Sequence, residues 1–287
     1  MRRQLKKILK GLSLIFLTVA LAIVMKVFLF DSFIVPTDSM TPTIWPGDYV
    51  LVNKLLIGPR IYHNLGFLKG NITPYRRIRG MHPIRRNDIL VFDAPYLLRP
   101  GILKAQTDLF YVKRCIAIPG DTFLIENGFY QIKGYHQPLG NWQNQLQLSQ
   151  TPDETISAYL FNCFPEDSAF HWTVKNFGPL YIPGKGDTIA VNLNNIALYR
   201  PLIQYETGKT VRLAEGKVFL DNDQIDTYVF THNYYFMAGD RVAGSNDSRY
   251  WGLLPEDLVV GKAVLIWKSK DPDTGKFRWK RWMQLLE

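Results

Sequence analysis

One run of apolar residues stands apart from the rest of the chain. From Gly11 to Phe30 (GLSLIFLTVALAIVMKVFLF) only Lys26 is charged, and there is no polar face of the kind a soluble core helix carries. Twenty helical residues reach about 30 Å, the thickness of a bilayer core, so the pattern predicts one membrane-spanning helix. Lys26 lies near its far end, where the stem can snorkel to the interface. Arg2, Arg3, Lys6, Lys7 and Lys10 precede the span and Asp31 follows it. The positive-inside bias then sets residues 1–10 in the cytoplasm and residues 31–287 outside. The run is longer than a usual signal-peptide core and no A-x-A site follows, so an uncleaved signal anchor is expected.

Beyond Asp31 the pattern changes to short apolar runs bounded by Gly, Pro, Asn or Asp: residues 48–53, 88–93, 109–118, 217–221 and 261–267. These read as strands. A Gly/Asn-Asp step precedes four apolar runs, at Gly47-Asp48, Asn87-Asp88, Gly120-Asp121 and Gly186-Asp187, as turns that launch strands would require. Residues 150–158 carry one helix signal, with Thr151 as N-cap, Pro152 next and Asp153 and Glu154 in the first turn. The segments at about 54–83 and 128–216 lack a clear period and read as loop-rich insertions. The second of them either binds a partner or covers a sheet edge. The expected fold is mainly β: an antiparallel sheet or barrel-like catalytic core with an inserted loop-rich region, behind one N-terminal transmembrane helix.

Composition fits this picture. The chain is 47% hydrophobic, 14% aromatic and 21% charged, so the part outside the membrane has the means to bury a core. The net charge of +9 suits an anionic partner. With a membrane anchor present, lipid is the expected partner and nucleic acid is not. The tail from Trp267 to Trp282 reads either as a surface resting on headgroups or as a last strand with a solvated face. Cys115 and Cys163 are the two cysteines, and the sequence leaves open a bridge or two free thiols. No HExxH, Cys/His cluster, phosphate loop or dinucleotide fingerprint occurs, so no metal and no cofactor is expected.

Three segments carry candidate chemistry: Ile34–Asp48 (IVPTDSMTPTIWPGD), Tyr111–Asp121 (YVKRCIAIPGD) and Met237–Gly252 (MAGDRVAGSNDSRYWG). A serine hydroxyl needs a base to become a nucleophile. The histidines, His63, His82, His136, His171 and His232, all lie outside these segments, so a Ser-His-Asp triad has little support. A lysine serves if desolvation removes its charge. Lys113 sits within an apolar run and, on a strand, shares a face with Tyr111 and Cys115. The pattern alone also allows a lysine on a solvated outer face.

The three segments resemble the nucleophile, lysine and Gly-Asp/Ser-Arg-Tyr-Trp-Gly motifs of bacterial type I signal peptidases, in family order. Arg86–Phe92 (RNDILVF) is similar to the family's remaining strand motif. The likeness covers the anchor and most of the β core, but not residues 54–83 or 128–216. It implies a membrane-bound serine endopeptidase that removes signal peptides from exported preproteins through an acyl-enzyme. By position it implies Ser39 as nucleophile and Lys113 as general base, with Ser245 hydrogen-bonded to the Lys113 amine. The Ser39 N–H and the Thr37 hydroxyl would form the oxyanion hole. Arg114 with Asp240, and Asp247 with Arg249, would be structural ion pairs. The implied partners are preproteins, the bilayer of the inner membrane and the secretion machinery.

The chain departs from the family pattern at three places. Asp38 replaces the frequent Gly before the nucleophile and is expected to face solvent. Arg241-Val242 replaces Asn-Arg, and Asn87 replaces Gly. One rival reading is another Ser-Lys protease, such as a self-cleaving repressor, which would need a DNA-binding domain in place of the anchor. A second is a non-catalytic anchored β domain that binds exported proteins or envelope material.

Overall fold

The first helix, α1 (Arg2–Val24), continues through a π turn at Met25–Leu29 straight into strand β1 (Phe30–Ile34). The apolar stretch Lys6–Leu29 has 24 residues, and none of its most apolar window is buried inside the protein. The apolar helix therefore ends at Leu29, and Phe30 already pairs with Asn53. The helix end is tied down by Lys54, whose N–H donates to the Leu29 carbonyl and whose amine donates to the Lys26 carbonyl and to Asp31. A cation suits the negative end of a helix. This computed structural model describes residues 2–62, 75–98, 102–165, 167 and 169–286. His63 and residues 63–74 of the first expected insertion lie outside the described residues.

Along the chain follow β2 (Asp48–Asn53), β3 (Arg60–Tyr62), β4 (Tyr75–Arg77), β5 (Ile89–Leu98), β6 (Ile102–Ala117), β7 (Thr122–Glu126) and β8 (Phe129–Ile132). Next come α2 (Trp142–Gln150), α3 (Ala158–Phe161), β9 (Phe177–Tyr181), β10 (Thr188–Ala190) and α4 (Ile196–Thr207). Then follow β11 (Val211–Ala214), β12 (Lys217–Leu220), β13 (Asp223–Gln224), β14 (Thr227–Val229) and β15 (Tyr234–Ala238). The last elements are α5 (Ser248–Trp251), β16 (Leu254–Pro255), β17 (Val259–Ser269) and β18 (Gln284–Leu285). The main sheet has eight strands in the order β1-β2-β17-β5-β6-β15-β16, with β18 on β17, all paired antiparallel.

Strand β5 shows why its sequence is a nearly unbroken apolar run. Ile89 and Val91 face a core with Met40, Ile44, Val50 and Ile266. Leu90 and Phe92 face the opposite core, with Cys115, Met237 and Trp251. A central strand buried on both faces has no reason to alternate with polar residues. A third core, around Phe123, Phe177, Leu202 and Phe236, joins β7–β9, α4 and the end of β15. Cys115 and Cys163 are both buried and free.

The four Gly/Asn-Asp steps fold alike. Gly47, Asn87, Gly120 and Gly186 all have positive φ, at the third position of what has the pattern of a type II turn. In each, the Asp side chain accepts from the amide three residues earlier: Trp45 to Asp48, Arg85 to Asp88, Ile118 to Asp121 and Gly184 to Asp187, at 2.8–2.9 Å. The step is thus a turn whose carboxylate closes it from below.

Two local expectations change. Residues 153–155 form only a 3₁₀ turn, and the helix lies before them, with Thr151 as the C-cap of α2. The N-cap is Asn141, whose side chain accepts the Asn144 N–H, and that capping interaction outcompetes the Thr-Pro-Asp-Glu signal. The stretch 128–216 also holds α4, which buries Ile196, Leu198, Tyr199, Leu202 and Ile203. Pro201 inside that helix masks it in the sequence.

Candidate active site

The loop between β1 and β2 carries Ser39, and strand β6 carries Lys113. Lys113 pairs across the sheet with Leu90 and lies on the side of β6 that also bears Tyr111 and Cys115. A strand held on both edges fixes the direction in which the lysine points. The amine meets the loop that carries Ser39: Lys113 Nζ and Ser39 Oγ are 2.6 Å apart. Lys113 is only 5% exposed and Ser39 only 8%. Burial lowers the Lys113 pKa from 10.5 to about 8, working against the upward pull of Asp247 and Asp240 and together with Arg249. The solvated-face alternative therefore does not describe Lys113. The pair can do what a serine–base dyad needs, because about a tenth of the amine is neutral at pH 7 and about half at pH 8, ready to take the hydroxyl proton.

The Ser39 N–H makes no hydrogen bond among the described residues and so is a donor open to a ligand. Thr37 is an exposed residue whose hydroxyl stands 3.5 Å from Ser39 Oγ, at the outer limit of a hydrogen bond. Ser245 is buried, but its expected hydrogen bond to Lys113 is not formed. Its hydroxyl lies beside Asp247, whose pKa it helps to lower, and completes no well-formed hydrogen bond. A Cβ added to Gly239 would meet Ser245 Oγ at 2.2 Å and the Ser39 carbonyl at 2.5 Å. Gly239 is the point at which Ser39 and Ser245 converge.

The two ion pairs are present, with different roles. Arg114 on β6 makes a bidentate contact with Asp240, at 2.8 Å for each bond, and so ties the lysine strand to the loop after β15. Asp247 and Arg249 lie within that loop and α5, both fully buried and also bidentate at 2.8 Å. Although burial pushes the Asp247 carboxyl up, Arg249 together with the Gly239 N–H and the Ser245 hydroxyl outweighs it and holds the pKa below the usual range. Asp247 also accepts the Gly239 N–H at 3.0 Å, which fixes the tight strand end beside Ser39.

The departures from the motifs find partners. Asp38 is half-exposed, as expected, but it is ion-paired with Arg241, the other substituted position. Asn87 holds a left-handed conformation (φ 69°) in place of a glycine. Its side chain donates to the Pro138 carbonyl and accepts the Gly140 N–H, at 2.9 Å each.

Sequence reasoning missed three contributors. Thr43 donates its hydroxyl to Asp240. Arg281, from the tail, holds Asp48 and the Thr43 carbonyl. Asn144, on α2, donates to the carbonyls of Thr41 and Asp240. Thr43 lay inside a quoted motif and could have been weighed, whereas nothing in the linear pattern marks Asn144 or Arg281. His82, His136 and His171 are exposed and His232 contacts Glu206 and Thr231, so no described histidine serves Ser39.

Comparison with known proteins identifies the family. Residues 8–268 match the family described as Signal peptidase, peptidase S26. The Signal peptidase I of Buchnera aphidicola subsp. Schizaphis graminum is 26% identical over 263 residues, covering 91% of this chain and 75% of that protein. The Signal peptidase I of Haemophilus influenzae is 26% identical over 303 residues, covering 96% and 75%. That of Pseudomonas aeruginosa is 25% identical over 259 residues, covering 87% and 68%.

Proposed function

The chain belongs to the S26 signal peptidase family, and from that premise we propose that Ser39 and Lys113 are its catalytic dyad. The protein is a membrane signal peptidase, a serine endopeptidase acting on preproteins that carry signal peptides. The observation that carries the dyad reading is the 2.6 Å contact between Ser39 Oγ and a buried lysine amine.

The substrate peptide lies extended near Ser39 and adds main-chain hydrogen bonds to the sheet. Ser39 Oγ attacks the scissile carbonyl carbon while its proton passes to Lys113 Nζ. The Ser39 N–H and the Thr37 hydroxyl take the oxyanion, worth about 3–4 kcal/mol for each well-aimed donor. Lys113 returns the proton to the leaving amine, and the mature protein departs. The signal peptide remains as an ester on Ser39. Lys113 then takes a proton from water as the hydroxide equivalent attacks the ester, and returns that proton to Ser39 Oγ as the ester bond breaks; the signal peptide leaves as a carboxylic acid that ionises in solvent.

The topology follows from charge. Residues 1–10 lie in the cytoplasm, residues 11–30 form the anchor in the inner membrane, and residues 31–287 form one outside peptidase domain with insertions at about 54–83 and 128–216. Two surfaces meet lipid. In one, exposed Trp267, Phe277, Trp279, Met283 and Leu285 lie in or around β18, and Trp267 donates to Ser32 on β1, a few residues past Leu29, where the apolar helix ends. In the other, residues 49–87 contain no Asp or Glu but eight Lys or Arg. There Arg76, Ile78, Arg79, Met81 and Arg85 are exposed, and the Met81 amide bonds to Leu55, next to the Lys54 that holds the helix end. Association with the secretion machinery completes the reading.

The test is cleavage of a preprotein by the purified full-length protein in detergent. Ser39→Ala and Lys113→Ala each lower kcat by on the order of 10⁴- to 10⁶-fold, as for other residues that act as a unit. Cleavage surviving in both variants rules the dyad out.

A further inference from the structure

The nucleophile sits on an irregular loop, while its partner amine sits on a rigid strand. Productive geometry needs the two held to about 0.5 Å, so something must brace the loop from outside. One brace comes from the loop after β15: the Arg241 N–H donates to the Ser39 carbonyl at 3.1 Å. That second loop is itself irregular and has to be fixed in turn.

Helix α2 meets both loops at one point. Asn141 caps its start by accepting the Asn144 N–H at 2.9 Å. Buried Gln145, the next residue, accepts the Tyr130 N–H at 2.8 Å and donates to the Leu139 carbonyl at 2.6 Å. These bonds anchor the first turn of the helix to β8 and leave the Asn144 side chain facing the site. Its amide group donates to the Asp240 carbonyl at 2.7 Å and to the Thr41 carbonyl at 3.2 Å. Thr41 lies two residues beyond Ser39, and Asp240 lies just before Arg241. One carboxamide therefore joins the nucleophile loop to the loop that holds the Ser39 carbonyl.

We propose that Asn144 is a positioning residue that sets Ser39 against Lys113, making the α2 segment part of the catalytic apparatus. The proposal rests on the reading of Ser39 and Lys113 as the dyad. Asn144 touches neither substrate nor the reacting atoms. It acts through the two carbonyls, and its chemistry is specific: both contacts need an N–H donor, and an isosteric carboxylate would set a negative charge against two carbonyl oxygens.

The test uses the full-length protein in detergent with a preprotein, followed by steady-state and single-turnover acylation kinetics. The variants are Asn144→Asp, Asn144→Ala and, as a control, Gln143→Ala, an exposed neighbour on the same helix. A small misplacement of a nucleophile costs up to about 10²-fold in rate, so the Asn144→Asp acylation rate falls by about 10- to 100-fold. Asn144→Ala falls less. In both, the acylation amplitude stays full and KM stays within about twofold, whereas Gln143→Ala matches the parent. Unchanged acylation rates in both Asn144 variants overturn the proposal. So does a fall in amplitude that tracks the unfolded fraction at an unchanged rate constant, because that is a purely structural role. If Ser39→Ala in the same assay still cleaves, the dyad reading has failed first and takes this one with it.

Discussion

Asp38, immediately before Ser39, is neutralised by the guanidinium of Arg241. Both residues depart from the pattern that the rest of the two motifs follows, and each answers the other. An unpaired carboxylate there would favour the charged form of Lys113. Arg241→Gln should therefore move the rise of kcat/KM to higher pH, by a few tenths of a unit for so exposed a pair. Adding Asp38→Asn should move it back. Identical pH profiles for the single and double variants would dismiss the compensation.

The buried amine makes activity rise with pH. Lys113 acts only when neutral and its pKa is about 8, so kcat/KM should climb tenfold per unit below that value and level off above it. A flat profile between pH 6 and about 9 would speak against a lysine base.

The same shift costs stability. Below pH 8 Lys113 is charged in both the folded and the unfolded state, and burying that charge costs about 3 kcal/mol for a pKa lowered from 10.5 to about 8. Between about 8 and 10.5 the unfolded state binds more protons, so the protein gains stability as pH rises. Lys113→Met removes the penalty. It should melt above the parent protein at pH 7, and the two melting temperatures should converge as pH approaches 10.5. A variant that melts lower throughout would mean the lysine contributes packing rather than a buried charge.

The apolar helix, the β-rich fold and the segments that bring Ser39 and Lys113 together were legible because each is written in consecutive residues. Twenty apolar positions, the Ile-Leu-Val-Phe run of β5 and the Ser-Met and Lys-Arg steps carry their meaning locally. The Asp38–Arg241 pair and the Asn144 bridge were not legible, because each joins segments about a hundred or more residues apart. No spacing rule connects such positions before folding does. The start of α2 was missed because its one signal, the Asn141 cap, was weaker on paper than the Pro-Asp-Glu run that follows the helix.

Gly239 has no room for a side chain. The position a Cβ would take is 2.2 Å from Ser245 Oγ and 2.5 Å from the Ser39 carbonyl, so Gly239→Ala must push the nucleophile loop away from Lys113. A loss of kcat of about 10²-fold or more is expected for a displacement near 1 Å. Ser245→Gly on top of it should not restore activity, because the Ser39 carbonyl remains in the way. Restoration would show that the serine side chain, and not the nucleophile's backbone, sets the limit.

The carboxylate-free stretch from 49 to 87 predicts a salt-sensitive contact with anionic lipid. Arg76, Arg79 and Arg85 are exposed and form no ion pair among the described residues. Each cation near an anionic surface contributes about 1 kcal/mol. Met81 lies among them and is 67% exposed. A fluorophore on Met81→Cys, with both native thiols buried, can report its depth in nanodiscs through quenching by spin-labelled lipid. Quenching should be stronger in bilayers with about one-quarter anionic lipid than in neutral ones. The difference should vanish at about 1 M salt, where the Debye length is about 3 Å. Reversing all three arginines to glutamate should also abolish it. Equal quenching in neutral and anionic bilayers at low salt would mean that this face looks into water, leaving the aromatic tail around Trp279 as the domain's footing on the membrane.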